Sequence, residues 1–220
     1  MALDLLIFDC DGVLIDSELI ACRIVAETLS EAGYPATARD IIAFVGRSSR
    51  DMYARLAERF GRALPYDLDA RLGQALRQAF AAELQPMAGA DALLRGLAGT
   101  RRCVASSSSL ERIRHSLGCA GLLGHFGDAL FSASMVARGK PAPDLFLHAA
   151  AAMGVPPARC IVIEDSVPGI EAAVAAGMAA IGFTGGAHCG TDHAARLTRA
   201  GAARTAGSMR ALAAMLSDRA

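Results

Sequence analysis

The sequence has no tryptophan, a single lysine and only 5% aromatic residues. It has no apolar run near the ~18–20 residues that a bilayer-spanning helix needs, so no membrane partner is expected. Basic residues nowhere cluster, and 22 Lys+Arg balance 22 Asp+Glu to a formal net charge of zero. That argues against a nucleic-acid partner, which requires a concentrated positive footprint. The six cysteines form neither a CxxC pair nor a regular framework, so a disulfide scaffold is not expected. Cys103 and Cys160 sit inside apolar runs, where a thiol behaves as a small buried hydrophobe. The opening MALDLLIFDCDG meets acid at Asp4 and Asp9, unlike a secretory leader. A reduced, cytoplasmic protein is the expectation. With a hydrophobic fraction of 53% and interspersed charge, the composition also excludes disorder.

Alanine and arginine are what the chain has in excess, with 47 Ala and 21 Arg among its 22 basic residues. Such an excess reflects GC-rich codons, so the arginine count says little about function. Lys140 is where the drift toward arginine stopped, which singles it out.

Short apolar runs alternate with helical patterns, the signature of βαβ units and a parallel sheet. The runs are Leu5–Phe8, Cys103–Ala105, Ala129–Phe131, Cys160–Ile163 and Ala179–Phe183. Helical periodicity covers 110–117, 144–153, 169–176 and 209–216, with Pro143 and Pro168 suited to first turns. From Ser17 to about Gln85 the period is helical throughout, as in Met52-Tyr53-Leu56-Ala57-Phe60. The expected fold is therefore α/β: a Rossmann-like parallel-sheet core with an all-helical cap inserted after the first strand. The boundaries are residues 1–16 for the first core segment, 17–87 for the cap and 88–220 for the remaining core.

Chemistry gathers at the strand ends. Residues two apart in a strand point the same way, so Asp9 and Asp11 face one crevice while Cys10 turns inward. Gly12 permits a tight exit from the strand. Two adjacent carboxylates repel and call for a cation or a shared proton. Glu164-Asp165 stands in the same relation to its own strand. If the two strands are neighbours, an all-oxygen site for a hard cation of the Mg²⁺ type results. Lys140, in the Pro-stiffened GKPAPD, supplies a compact positive charge suited to a phosphate oxygen or a carboxylate. The turn Ser106-Ser107-Ser108-Ser109 offers hydroxyls and N–H groups to phosphoryl oxygens, with Ser108 or Ser109 as a helix N-cap. Ser17 and Glu18 are expected to cap the first cap helix. His188-Cys189-Gly190-Thr191-Asp192-His193 lacks a second cysteine or acid cluster at zinc spacing, and a polar loop near the site mouth is expected instead.

Four segments in order, LLIFDCDGVLIDSE, VASSS, ARGKPAPD and CIVIEDSVPGIEAA, resemble the motifs of the haloacid dehalogenase superfamily. The resemblance spans nearly the whole chain. It falls in the branch of phosphatases and β-phosphoglucomutase-like enzymes, on the side of sugar-acid phosphatases. What it implies is a Mg²⁺-dependent phosphatase of small phosphorylated metabolites. Asp9 would be the nucleophile and Asp11 the acid and base. Asp9, Asp165 and the Asp11 carbonyl would hold the metal, with Glu164 bound directly or through water. Ser106 and Ser107 would bind the phosphoryl group, and Lys140 would tie that group to Asp9. Gly46-Arg47-Ser48-Ser49-Arg50 resembles a cap substrate loop, in which Arg47 or Arg50 would bind a second anion of the substrate. Mutases of this family usually carry a cap histidine where Ala21 stands, and a cap arginine where Ser49 stands, which favours hydrolysis over phosphosugar isomerisation. A monomer or weak homodimer is expected.

Overall fold

The computed structural model describes residues 4–45 and 49–217, with the side chains of 49–51 outside the description. Gly46 and Arg47, and the side chain of Arg50, therefore lie outside the described residues. Within them, six strands form one parallel sheet in the order β3-β2-β1-β4-β5-β6. The strands are β1 (Leu5–Phe8), β2 (Arg102–Ser106), β3 (Leu130–Ser132), β4 (Cys160–Glu164), β5 (Ala179–Phe183) and β6 (Arg204–Ala206). Every residue of β1 is buried, because helices cover both faces of the sheet. Leu6 and Phe8 pack into the apolar cluster on one face, Leu5 and Ile7 into that on the other.

The five strands read from the sequence are present. β6 is the one that the apolar-run criterion missed: it is three residues long, lies at the sheet edge, and starts on exposed Arg204. Edge strands need no continuous apolar run, since one side meets solvent. The short helices α5 (Ala90–Gly96) and α9 (His193–Arg199) also escaped the periodicity reading, at seven residues each.

Between β1 and α5 the described chain is helical: α1 (Glu18–Glu31), α2 (Ala38–Ile42), α3 (Ser49–Phe60) and α4 (Leu68–Glu83). These helices bury an apolar cluster of their own, including Val25, Leu29, Leu56 and Leu72. The C-terminal half of α4 joins the main core through Leu76 and Phe80. Entry to and exit from this helical segment lie side by side, because Met87 N–H donates to Leu14 O at 2.9 Å and Ile15 bridges to Pro86. The remaining helices, α6 (Leu110–Cys119), α7 (Asp144–Ala152), α8 (Val167–Ala175) and α10 (Met209–Ser217), complete the layers around the sheet. Among the described residues no helix is long and apolar enough to cross a membrane.

Candidate active site

The site lies at the carboxyl ends of β1 and β4, where open parallel sheets bind ligands. Register decides which residues meet there. Phe8 pairs with Ile163, and Asp9 N–H donates to Ile163 O at 2.9 Å, so the acids that follow the two strands emerge together. Carboxylate oxygens of Asp9, Glu164 and Asp165 lie within 4.8 Å of one another, and all three residues are buried.

Lys140 reaches this cluster from the loop before α7. Its ammonium donates to Asp9 Oδ1 at 3.0 Å, to Glu164 Oε2 at 2.7 Å and to Ala105 O at 3.2 Å. All three donors are thus used, and the side chain is only 4% exposed. Burial alone would lower the Lys140 pKa, but the facing Asp9 and Glu164 carboxylates outweigh it and raise it. Burial and repulsion from Glu164 push Asp9 well above the usual carboxylate range, against the pull of Lys140. Asp165 is raised for the same two reasons, burial first.

Three buried carboxyls facing one ammonium leave uncompensated acid, and an all-oxygen donor set of this kind suits a hard divalent cation. Glu164 contributes indirectly. Its Oε2 is taken by Lys140, while Oε1 accepts from Ser166 N and Ser166 Oγ at 3.0 and 2.7 Å. A side chain at Gly169 would put its Cβ 2.0 Å from the Glu164 carboxyl carbon, so a glycine there leaves room for this carboxylate. Asp9 and Asp165 are the acids with oxygens left to offer.

Gly12 has φ +74°, and a Cβ on it would stand 2.0 Å from Asp165 Oδ2. Gly12→Ala therefore combines left-handed strain with a clash on a buried carboxylate. A loss of about 2–4 kcal/mol in unfolding free energy is expected by denaturant titration.

The Asp11 carboxylate stands apart from that cluster. Its Oδ1 accepts from Ser17 Oγ at 2.7 Å and Arg112 Nη2 at 3.3 Å, and Oδ2 accepts from Ser108 Oγ at 2.8 Å. Burial pushes its pKa up, but Arg112 and the two hydroxyls prevail and hold it below the usual value. Ser17 was expected to cap α1; it makes no side-chain capping bond, and its buried hydroxyl turns to Asp11 instead. Ser109 does cap α6, accepting from Arg112 N at 3.3 Å. Ser106 is buried, and its Oγ accepts from Ser108 N at 3.1 Å, which shapes the turn; Ser107 is exposed toward the cavity.

Sequence reasoning missed several groups that the fold brings here. His188 Nε2 lies 2.9 Å from Asp165 Oδ2, and His193 Nε2 lies 2.6 Å from Asp165 O. The loop expected near the mouth thus reaches a site carboxylate. Glu18, taken as a cap residue, lines the cavity, and burial first and Asp11 second raise its pKa to about 7. Arg112 was hidden among many arginines; only its helical spacing from the serine turn could have singled it out. A cavity of about 650 Å³ joins Glu18 and Arg112 to Asp9, Asp11, Lys140 and Asp165, lined by both the sheet edge and the inserted helices.

Residues 3–177 match the family model of the haloacid dehalogenase-like hydrolases. The chain belongs to this family. It is 33% identical over 183 residues to the 6-phosphogluconate phosphatase of Escherichia coli (strain K12), covering 82% of each chain. It is also 33% identical to the fructose-1-phosphate phosphatase YqaB of the same organism, over 80% of this chain and 94% of that one. Among solved structures, a conserved haloacid dehalogenase-like protein from Agrobacterium tumefaciens str. C58 superposes with a TM-score of 0.85 at 39% identity, covering 99% of both chains. This haloacid dehalogenase-like hydrolase is an enzyme of the phosphoric monoester hydrolase kind.

Proposed function

We propose that the protein is a Mg²⁺-dependent phosphatase of small phosphorylated metabolites, sugar or sugar-acid phosphates, working through an aspartyl-phosphate on Asp9. The observation that carries this reading is the convergence of Asp9, Glu164 and Asp165 on Lys140 at the edge of β1 and β4. Names of relatives support the substrate class, since 6-phosphogluconate and fructose 1-phosphate are both sugar-derived phosphates.

The steps are those that the resemblance to the family implies, set on these side chains. An Asp9 carboxylate oxygen attacks phosphorus in line, forming the acyl phosphate as the ester P–O bond breaks. Asp11, held ionised by Arg112, Ser17 and Ser108 before substrate binds, takes a proton as the phosphate monoester enters and gives it to the departing alkoxide. It then takes a proton from the water that attacks the aspartyl-phosphate, releasing inorganic phosphate and regenerating Asp9. Ser106 and Ser107 hold phosphoryl oxygens, and the Lys140 ammonium offsets the charge between nucleophile and phosphate. Asp9, Asp165 and the Asp11 carbonyl would hold Mg²⁺, with Glu164 behind them. When bound, the ion neutralises phosphoryl oxygens so that one anion can attack another. Ala21 lines the cavity with a methyl group and offers no proton relay for phosphoryl exchange, which favours hydrolysis over isomerisation. In this reading residues 17–87 act as a cap on a core of 1–16 and 88–220. Gly46, Arg47 and Arg50 belong to its substrate loop.

Phosphate release from a panel of sugar and sugar-acid phosphates is the test. Turnover of at least one, lost on chelation and restored by Mg²⁺, is expected; no turnover of any would overturn the reading.

Metal binding has its own signature. Asp9 and Asp165 have folded pKa values raised above their unfolded ones, so at these two groups the metal-free fold binds more protons than the unfolded chain. The stability these two groups contribute is accordingly lost as pH rises above about 4 through those raised values. A bound cation offsets this loss, and protons compete with it. Saturating Mg²⁺ should raise the thermal midpoint by about 3–8 °C, with a larger rise at pH 8 than at pH 5.5. An equal or smaller rise at pH 8, read by differential scanning fluorimetry, would contradict the assignment.

A further inference from the structure

We infer that Arg112 is the receptor for a second anionic group on the substrate, a carboxylate or phosphate remote from the ester that is cleaved. This deepens the phosphatase reading above and rests on it.

The cavity holds a guanidinium with donors to spare. Arg112 rises from the first turn of α6 and lines the cavity, with 32% of its side chain exposed. Of its five N–H groups, one makes the only hydrogen bond that its side chain has among the described residues: Nη2 to Asp11 Oδ1, at 3.3 Å. Ser17 and Ser108 donate to the two Asp11 oxygens at the shorter distances of 2.7 and 2.8 Å, so the Arg112 charge steadies Asp11 while using one of its N–H groups. Meanwhile Arg112 Nε is buried with no partner at all. An unpaired buried N–H is costly and marks a place where an acceptor belongs.

The plane of the guanidinium is also held. Its Cζ lies 5.3 Å from the Phe80 ring centroid, on the inserted helix α4, so two elements orient it. A planar fork held in one orientation with free adjacent donors matches a carboxylate or phosphate, which accept in pairs; a sugar hydroxyl does not. Lys140 cannot serve this purpose, since Asp9, Glu164 and Ala105 take all its donors. Arg77, also along the cavity, is 51% exposed and pairs with Glu111 at 3.6 Å. The substrate class is therefore a phosphate monoester whose carbon chain ends in a second anion, such as an aldonic acid phosphate or a bisphosphate.

Matched pairs that differ only in the terminal carboxylate give the test. 3-Phosphoglycerate is compared with glycerol 3-phosphate, erythronate 4-phosphate with erythritol 4-phosphate, and gluconate 6-phosphate with glucitol 6-phosphate. The wild-type enzyme should prefer the acid in at least one pair by 10-fold or more in kcat/KM. Arg112→Met should lower that preference by about 10- to 100-fold, chiefly through KM for the acid. Arg112→Lys, which keeps the charge and loses the fork, should fall between, and serves alone if the methionine variant does not fold. Equal losses on both members of every pair would overturn the proposal and leave Arg112 as a positioning residue for Asp11. Wild-type turnover of the polyol phosphates with no preference for any acid would also overturn it. Failure to release phosphate from every compound, p-nitrophenyl phosphate included, would instead remove the phosphatase reading on which it rests.

Discussion

Asp9→Asn is expected to lower turnover by about 10⁴-fold or more while leaving the fold intact. The amide keeps the size and shape of the carboxylate but has no anionic oxygen to attack phosphorus. Stability should not suffer, because the wild-type carboxylate is buried and repelled by Glu164. Removing that charge eliminates a desolvation cost, although Lys140 then faces a neutral amide oxygen in place of one of its two anionic acceptors. The thermal midpoint of the metal-free variant should therefore match or exceed the wild type, while its rise with Mg²⁺ shrinks. Steady-state phosphate release with scanning fluorimetry on the same samples checks both halves. Retained turnover would reject Asp9 as nucleophile; lost turnover with a collapsed midpoint would reject the account of its burial.

Lys140→Arg carries the second large effect, a loss of about 10²–10³-fold in kcat/KM. Charge is conserved in this substitution, so only shape and donor geometry are tested. The ammonium sits in a slot where three acceptors surround it at 2.7–3.2 Å and the side chain is 4% exposed. Phe146 closes another side, its ring centroid 5.0 Å from Nζ. A guanidinium is larger and planar, and its forked donors cannot meet acceptors arranged around a point. Overpacking of this kind costs about 1–3 kcal/mol and displaces the neighbours. Those neighbours are Asp9 and Glu164, so strain turns directly into a misplaced nucleophile. Near-normal activity would show that the slot accepts any cation and would remove the special standing of the lone lysine.

Much of the core was legible because each feature had a local cause. The runs Leu5–Phe8 and Cys160–Ile163 are unbroken apolar segments followed at once by acids, and both are strands that deliver those acids to one edge. The helical stretch after Ser17 was legible from its period. β6 was not, since its three residues open on exposed Arg204 and form no apolar run, unlike the equally short but fully buried edge strand β3. Ser17 was misassigned for a related reason: a serine before a helix is a good cap by local rules, but its hydroxyl had a charged acceptor in Asp11 that no local rule reveals. Glu18, His188, His193 and Arg112 likewise look ordinary along the chain. They become site residues only through partners many positions away, up to the 101 residues separating Arg112 from Asp11.

Five of the six strands, the central acids and the demand for a positive charge follow from local sequence, because apolar runs, burial and charge repulsion act over a few residues. The sequence marked Lys140 through composition alone. Only the tertiary structure decided how that charge is divided. Parallel register placed Asp9 beside Glu164, and the ammonium then bound both, drawing Glu164 toward Lys140 and leaving Asp9 and Asp165 with oxygens to offer. The same folding set Arg112 against Asp11 and Phe80 with a buried donor unmet. Long-range partners are chosen by where elements pack, and packing is decided by the whole chain.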